Sequence, residues 1–323
     1  MTVRLSLPDQ RTQARFTDLA DVELLLWDFA SPIPGGDTPI DLAVRPYVLA
    51  GDLSLLDPAR IRAVQTQALG YDDAIGNVPD GITWCNAVGV HEGPTAELAV
   101  GLLIAAFRGF DEFARAMPER RWVRAWNPGL LGARVMLLGY GGIGVEVHAR
   151  LTGFGVDIVR VARTAREDRH GQIHGIDELS SLLPRVDAVV VAVPYGRETH
   201  HLVDEAFLTA MRPGALLVNV ARGKVADTDA VAHMAASGHI RVASDVWDPE
   251  PLPPDHPLWT TPGVFVSPHV GGAVTSMHDR VEALVRDQVT RLQQGEPLAN
   301  VVDVSRRDVS GPAGAHRSPG PGR

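Results

Sequence analysis

The sequence predicts an α/β protein of two domains, each built on a doubly wound parallel sheet, with a cleft between them. A chain of 323 residues is long enough for two domains, and a hydrophobic fraction of 45% supports well-filled cores. Short apolar runs alternate with helical patterns along most of the chain. Such alternation is typical of parallel sheets that are covered by helices on both faces.

The first part of the chain contains short apolar runs that we interpret as strands, at residues 22–29, 47–50, 64–69 and 82–88. The segment TAELAVGLLIAAFRGFDEF, residues 95–113, comes next and consists mostly of apolar helix formers. We expect it to form one long, largely buried helix that joins the two domains.

The second part of the chain alternates strands and helices more regularly. Its apolar runs are RVMLLG, VDIVRVA, DAVVVAVP, GALLVNVA, RVASDVW and VFVSP. Residues 276–295 then predict an amphipathic helix that ends at Gly295, after which PLANVVDV returns the chain to the first domain. We therefore assign residues 1–95 and 276–303 to one discontinuous domain and residues 96–275 to the other, and expect residues 304–323 to be a disordered tail.

Composition excludes several classes of function. The formal net charge is −9 and the basic residues are scattered, which argues against a nucleic-acid partner. No apolar run is long enough to span a membrane, and the N-terminal segment lacks the apolar stretch of a signal peptide, so we expect a cytoplasmic protein. Cys85 is the single cysteine, and HEGPT at residues 91–95 lacks the second histidine of a zinc motif. We predict no metal site.

The segment RVMLLGYGGIGVEVHARL predicts a dinucleotide site of the Rossmann type. Gly139, Gly141 and Gly144 have the spacing G-x-G-x-x-G, directly after a strand and at the start of a helix. Glycine allows the tight turn, the close approach of a diphosphate and the packing of the helix on the strand. The first helical residues, Gly142 and Ile143, would offer amides to the diphosphate.

The carboxylate that usually holds the ribose of NAD is missing. The place where it belongs reads VARTAR, residues 161–166, while Asp157 lies at the wrong end of the strand and Asp168 lies several residues past it. Arg163 and Thr164 at this place suit a 2′-phosphate, which favours NADP over NAD. In the alternative, Arg163 lies across the adenine ring and the protein accepts both cofactors.

Three further segments follow apolar strands and should therefore converge on the same crevice of an open parallel sheet. They carry Arg222, then Asp245 with Glu250, and then His269. Taken singly, Arg222 is as compatible with a structural ion pair, Glu250 with a solvated turn and His269 with a buried core position. Together they are better explained by chemistry at one site.

From about residue 60 to residue 303 the sequence resembles the D-isomer-specific 2-hydroxyacid dehydrogenases, in particular the glyoxylate/hydroxypyruvate reductase branch. The segments GYGGIG, MRPGALLVNVARG, DVWDPEPLPPDHPLW and SPHVGG occur in the family's order and at its spacing. The resemblance implies that His269 is the acid/base, that Glu250 pairs with it and that Arg222 binds the substrate. It also implies that the amides of Leu69 and Gly70 receive the substrate carboxylate, and that the cofactor is contacted by Pro194, Ala221, Asp245 and Gly271.

The resemblance implies NADPH-dependent reduction of a small 2-keto acid, such as glyoxylate or hydroxypyruvate, to the D-hydroxy acid. Such a reduction needs a proton donor, a cation for the carboxylate and a hydride carrier. It further implies a homodimer joined through the cofactor domain, to which residues 117–132 could contribute. The alternatives are a non-catalytic dinucleotide sensor on the same scaffold and an activity like that of phosphoglycerate dehydrogenase. Trp27 and Phe29 either line the substrate pocket or simply pack in the core.

Overall fold

A computed structural model describes residues 2–47 and 51–305 as an α/β chain with two sheets. The strands are β1 (Val3–Leu7), β2 (Val22–Leu26), β3 (Leu42–Val44), β4 (Ala63–Gln65), β5 (Thr83–Cys85), β6 (Arg134–Leu138), β7 (Asp157–Ala162), β8 (Arg166–Asp168), β9 (Gly171–Gly175), β10 (Ala188–Val191), β11 (Ala215–Asn219), β12 (Ile240–Ser244), β13 (Val264–Val266) and β14 (Val301–Val302). The helices are α1 (Gln10–Gln13), α2 (Glu92–Arg108), α3 (Phe110–Ala116), α4 (Gly142–Leu151), α5 (Leu179–Leu182), α6 (Glu205–Ala210), α7 (Thr228–Ala236) and α8 (Met277–Gln294).

The first sheet has the strand order β14-β5-β4-β3-β1-β2, and all of its pairs are parallel except β14 with β5. Leu5 and Val44 face one side, where they pack against Val285 of α8. The other side carries a cluster that includes Trp27 and Phe29, whose rings stack at 4.0 Å. Both rings are fully buried, so they belong to the core and do not line a pocket.

The second sheet has the order β13-β12-β11-β10-β6-β7-β9-β8 and is parallel except for the β8–β9 hairpin. Side chains along β6 alternate between two cores, with Met136 and Leu138 in one and Val135 and Leu137 in the other. Both faces are therefore covered, and the predicted class of two mostly parallel, doubly wound sheets is confirmed. The chain runs from β6 outward to β9 and returns to β10 on the other side of β6, which opens a crevice at the carboxyl ends of these strands.

The predicted helix over residues 95–113 is wrong at both ends. Helix α2 begins at Glu92 and includes Pro94. The proline is tolerated because it lies in the first turn, where no amide donor is needed. It ends at Arg108, because Gly109 adopts a left-handed conformation with φ 67° and donates to the carbonyls of Ala105 and Ala106; α3 then starts afresh. The expected domain boundary between residues 95 and 96 falls inside α2.

Other elements also differ from the sequence-based expectations. The strand expected at 47–50 forms instead at Leu42–Val44; Tyr47 lies outside any strand, and residues 48–50 are not described. Strand β1 and the β8–β9 hairpin were not predicted. Helix α8, which ends at Gln294 with Gly295 as its C-terminal cap, and the return of the chain through β14 are confirmed.

The predicted disordered tail lies outside the described residues from position 306 onward. Within the part of the chain that is described, no helix combines the length and apolar character needed to cross a membrane. Cys85 is buried in β5, as expected for a small hydrophobic residue.

Candidate active site

His269 lies in a turn that begins where β13 ends, at the carboxyl edge of the second sheet. Its backbone has φ 54°, and its amide donates to the carbonyl of Asp245 at 2.8 Å. A left-handed conformation is uncommon for a residue with a side chain and is held here by the surrounding hydrogen bonds. The imidazole remains half exposed, so it is available to a ligand and is not a core residue.

Glu250 fixes the state of the His269 ring. Its Oε1 lies 2.6 Å from Nδ1 of the imidazole. The hydrogen bond to Glu250, aided by the negative charge, raises the pKa of His269 above its usual value, although burial opposes the rise. Because Nδ1 donates to the carboxylate, Nε2 is the ring atom that can exchange a proton with a ligand.

Asp245 is buried and holds the turn that carries His269. Its Oδ1 accepts from the Ser267 hydroxyl at 2.5 Å and from the Val270 amide at 2.9 Å, and its Oδ2 accepts from the Gly271 amide at 2.8 Å. Most of the acceptor capacity of this carboxylate is therefore used by its own turn. A contact of Asp245 with the nicotinamide stays a prediction.

Arg222 links the two sheets. Its Nε donates to Oδ2 of Asp72 at 2.8 Å, and its Nη1 donates to the carbonyl of Ala221 at 2.8 Å. A Cβ at position 70 would lie 1.4 Å from Nη2, so only glycine allows the guanidinium this close to the loop. Leu69, in the same loop, accepts from the Asn86 side chain at 2.9 Å.

The expected carboxylate-binding group is thus brought together from distant parts of the chain. Arg222 uses two of its five N–H groups on Asp72 and Ala221, which leaves three for a ligand. Asp72 was not assigned a role from the sequence, although it stands two residues after Gly70. The partner of an arginine depends on the fold, and no local pattern marks it.

The glycine loop between β6 and α4 has the close contacts that its spacing predicts. Gly139 has φ 103°, and a Cβ there would lie 2.5 Å from the carbonyl oxygen of Ala192. A Cβ on Gly144 would lie 2.2 Å from the carbonyl oxygen of Gly139, whereas a Cβ on Gly141 would meet open space. Gly141 therefore leaves the room that a diphosphate needs.

The start of α4 supplies free amides to that space. Gly141 precedes the helix without a side-chain cap, and the first helical hydrogen bond runs from the Val145 amide to the Gly141 carbonyl at 2.9 Å. The amides of Gly142, Ile143 and Gly144 come before this bond and have no helical partner. A diphosphate fits such a helix N-terminus.

The turn after β7 is basic, as the sequence predicts. Arg163 and Thr164 follow the strand directly and are exposed, and Nη2 of Arg166 reaches the Tyr140 carbonyl of the glycine loop at 3.3 Å. The acids considered for the ribose are engaged elsewhere, Asp157 with Arg134 at 3.0 Å and Asp168 with Arg160 at 2.6 Å. The donor set therefore fits a 2′-phosphate better than a ribose hydroxyl pair.

The remaining predicted cofactor residues lie at the same edge of the sheet. Pro194 follows β10, is exposed and accepts from the Thr199 hydroxyl at 2.8 Å. Ala221 follows β11 and is buried, and Gly271 lies two residues past His269. The predicted cofactor residues thus follow strands at one edge of the second sheet, and their individual roles stay predictions.

This fold and this site define the class of protein, an oxidoreductase that works with a dinucleotide. Residues 100–271 match the family described as D-isomer specific 2-hydroxyacid dehydrogenase, NAD binding domain. The chain is 32% identical over 259 residues to a glyoxylate reductase of Thermofilum pendens and 34% identical over 255 residues to one of Korarchaeum cryptofilum, with 76% of each chain covered in both cases. The chain belongs to the D-isomer specific 2-hydroxyacid dehydrogenases.

Solved structures agree with this assignment. The NADPH-dependent glyoxylate/hydroxypyruvate reductase SmGhrB of Sinorhizobium meliloti, in complex with NADP and malonate, aligns with a TM-score of 0.77 at 25% identity, covering 94% of this chain and 98% of that one. A D-isomer specific 2-hydroxyacid dehydrogenase of Xanthobacter autotrophicus, in complex with NADPH and MES, aligns with a TM-score of 0.78 at 25% identity and the same coverage.

Proposed function

We propose that the protein reduces a small 2-keto acid, such as glyoxylate or hydroxypyruvate, to the D-2-hydroxy acid. The observation that carries the proposal is the 2.6 Å pair of His269 and Glu250 beside a guanidinium that lies against Gly70. The names of the relatives, glyoxylate reductase and glyoxylate/hydroxypyruvate reductase, support the same substrates.

In this mechanism the amides of Leu69 and Gly70 bind the substrate carboxylate together with Arg222, whose planar fork suits a carboxylate. The same arginine polarises the keto group. His269, in its protonated form, passes the Nε2 proton to the keto oxygen, while Glu250 stabilises the charged ring. When bound, the dinucleotide supplies the hydride to the keto carbon.

The proposal includes a division of labour between the domains. Residues 1–95 and 276–303 would form the substrate domain, and residues 96–275 the cofactor domain. Arg222 and Asp72 belong to different sheets, and their ion pair joins the two sides. Closure of the two domains around this ion pair would exclude water from the reacting atoms.

We further propose NADPH as the preferred cofactor, with NADH also accepted, because Arg163 and Thr164 replace the usual acid. An Arg163→Asp variant should reverse the preference, since the new carboxylate repels a 2′-phosphate and accepts ribose hydroxyls. The measurement is kcat/KM for NADPH and for NADH at a fixed concentration of keto acid. A variant that keeps the wild-type preference would contradict the phosphate assignment.

The proposal extends to a homodimer formed through the cofactor domain, and to a cytoplasmic location. Trp122 and Trp126 have exposed fractions of 91% and 101%, and Met117 and Leu131 nearby are also exposed. A concentration of large apolar side chains on one segment is typical of a protein interface. A second copy of the chain would cover it.

The test is the initial rate of NADPH and of NADH oxidation on glyoxylate, hydroxypyruvate, pyruvate and phenylpyruvate. We expect turnover of the small acids, faster with NADPH. Cofactor binding without turnover on any acid would contradict the enzyme and favour a dinucleotide sensor.

A further inference from the structure

Two polar side chains of the first part of the chain lie beside the site without a role in the mechanism above. Tyr47 follows β3, and His91 directly precedes α2. Their rings stack with centroids 5.5 Å apart and planes 14° from parallel. They form a single wall, which we call the Tyr47–His91 wall.

His91 presents an unpaired acceptor. The residue is 5% exposed, and its Nε2 forms a hydrogen bond with the carbonyl of Gln67, two residues before Leu69. A carbonyl can only accept, so Nε2 carries the hydrogen, and burial lowers the pKa of His91 and keeps the ring neutral. Nδ1 is turned toward the backbone of Gly272 and forms no well-aligned hydrogen bond among the described residues.

The hydroxyl of Tyr47 is also unpaired and lies close to the charges of the site. Among the described residues the structure records no hydrogen bond to it. Partial burial raises the pKa of Tyr47, and the negative charge of Asp245 acts in the same direction, while Arg222 opposes it. The hydroxyl is therefore within electrostatic reach of both the His269 turn and the substrate-binding arginine.

Gly272 shows where the two groups point. A Cβ on this glycine would lie 2.5 Å from Nδ1 of His91 and 2.9 Å from the Tyr47 hydroxyl oxygen. Gly272 is three residues past His269. The Tyr47–His91 wall therefore faces the turn that carries the acid, across the gap between the two sheets.

In the proposed mechanism the third substituent of the keto carbon is directed toward this wall. The mechanism directs the carboxylate to Leu69, Gly70 and Arg222 and the keto oxygen to His269. Strand β3, which leads to Tyr47, is the neighbour of β4, which leads to the carboxylate loop. The substrate side chain is the one remaining group, and it would contact the residues that follow β3.

We propose that Tyr47, backed by His91, contacts the third carbon of the substrate and selects 2-keto acids that carry a hydroxyl there. The inference rests on the proposed function. A hydroxyl on the substrate pairs with the Tyr47 hydroxyl as donor or acceptor. Neither member of the wall is positively charged, so the wall offers nothing to a phosphate or to a second carboxylate.

The test compares Tyr47→Phe with the wild type on hydroxypyruvate, pyruvate and glyoxylate. Hydroxypyruvate and pyruvate differ only in the hydroxyl at the third carbon, and glyoxylate has no third carbon. We expect kcat/KM on hydroxypyruvate to fall about tenfold, as for the loss of one good hydrogen bond, with pyruvate and glyoxylate within about twofold. Pyruvate and glyoxylate are the internal controls, because neither carries a hydroxyl at a third carbon for Tyr47 to bind.

Each other outcome overturns the proposal. An equal loss on all three acids would mean that Tyr47 serves the carboxylate or the reaction, and no loss on any would mean that it does not touch the substrate. If the wild type reduces none of the acids, the proposed function fails. The role of the Tyr47–His91 wall is then tested separately, by calorimetric titration of the NADPH complex with hydroxypyruvate and with pyruvate. Tighter binding of hydroxypyruvate than of pyruvate, lost in Tyr47→Phe, supports the wall, whereas equal affinities overturn it.

Discussion

At the scale of the residue, the site depends on how neighbours prepare each functional group. Asp245 orders the turn, the turn holds His269 in a left-handed conformation, and Glu250 sets the charge and tautomer of its ring. Arg222 is prepared in the same way by Asp72. In the proposed mechanism these groups are therefore positioned before a substrate arrives, which is what efficient acid/base catalysis requires.

Glu250→Gln should move the pH profile of the enzyme. Glu250 raises the pKa of His269, so the protonated ring that reduction needs persists to higher pH. Without the carboxylate this pKa falls, and reduction is lost at a lower pH than in the wild type. The measurement is kcat/KM for glyoxylate reduction across pH.

A second histidine–glutamate pair provides the control for this experiment. Glu178 accepts from Nδ1 of His174 at 2.8 Å, outside the proposed site. Glu178→Gln should leave the profile unchanged. If the alkaline limb of the kcat/KM profile does not move in Glu250→Gln, the Glu250 carboxylate does not set the pKa of His269.

The sequence identifies the functional side chains better than it identifies their supports. Arg222, Glu250 and His269 could be selected because each follows an apolar strand, and strand ends of a parallel sheet converge. Asp72 and Ser267 also come after apolar runs, but their supporting roles depend on partners from other parts of the chain and are defined only by folding. The unpaired state of Tyr47 and His91 is likewise a property of packing.

At the scale of the element, the strand–turn–helix unit of β6 and α4 offers backbone groups to the proposed diphosphate site. Gly139 and Gly144 bring the turn and the helix into contact, and Gly141 leaves space. The free amides of the helix start then face that space, with a favourable helix dipole. Gly139 and Gly144 therefore serve the packing of the helix on the strand, whereas Gly141 would serve the binding of the diphosphate.

Two alanine substitutions should separate the packing role from the binding role. Gly144→Ala places a Cβ 2.2 Å from the Gly139 carbonyl oxygen, and it should lower the free energy of unfolding by about 1–3 kcal/mol and weaken NADPH binding. Gly141→Ala meets no protein atom, and it should keep the wild-type stability while weakening NADPH binding by roughly tenfold or more. The measurements are denaturant unfolding and fluorescence titration.

Gly153→Ala is the control, since a Cβ there also meets open space and the residue lies beyond α4. It should match the wild type in both measurements. Normal NADPH binding by Gly141→Ala would place the diphosphate elsewhere.

Elements with continuous apolar sequence were predicted well, and the others were not. The strands β6, β7 and β10 to β13 read as mostly apolar runs because most of their residues are buried. Strand β1, VRLSL, is fully buried, yet it contains Arg4, whose guanidinium pairs with Glu23 of β2, a contact that only the fold supplies. The β8–β9 hairpin is polar and largely exposed, so hydrophobicity could not mark it.

At the scale of the whole molecule, the two sheets meet at their carboxyl edges, and the proposed dimer would add a second surface. The Arg222–Asp72 ion pair and the contact with Gly70 tie the sheets together where the substrate should bind. The exposed tryptophans lie in a different segment, so the proposed interface and the proposed active site use separate residues. This separation makes the dimer testable without touching the active site.

Replacement of both Trp122 and Trp126 by Asp should convert the dimer into a monomer, because charges at the centre of an apolar interface cannot be desolvated cheaply. Sedimentation velocity gives the oligomeric state directly. Trp259→Asp is the control, since Trp259 is exposed but lies outside residues 117–132. A double variant that stays dimeric, or a wild type that is monomeric, would contradict the proposed interface.

The central claim is that His269 delivers the proton for reduction of a 2-keto acid. The most direct measurement compares His269→Ala with the wild type in steady-state reduction of glyoxylate and hydroxypyruvate by NADPH, together with the Kd of NADPH for each protein. The proposed mechanism predicts a loss of roughly 10² to 10⁴ in kcat with cofactor affinity unchanged. Turnover near the wild-type value, with NADPH still bound, would contradict the assignment of His269 and the mechanism built on it.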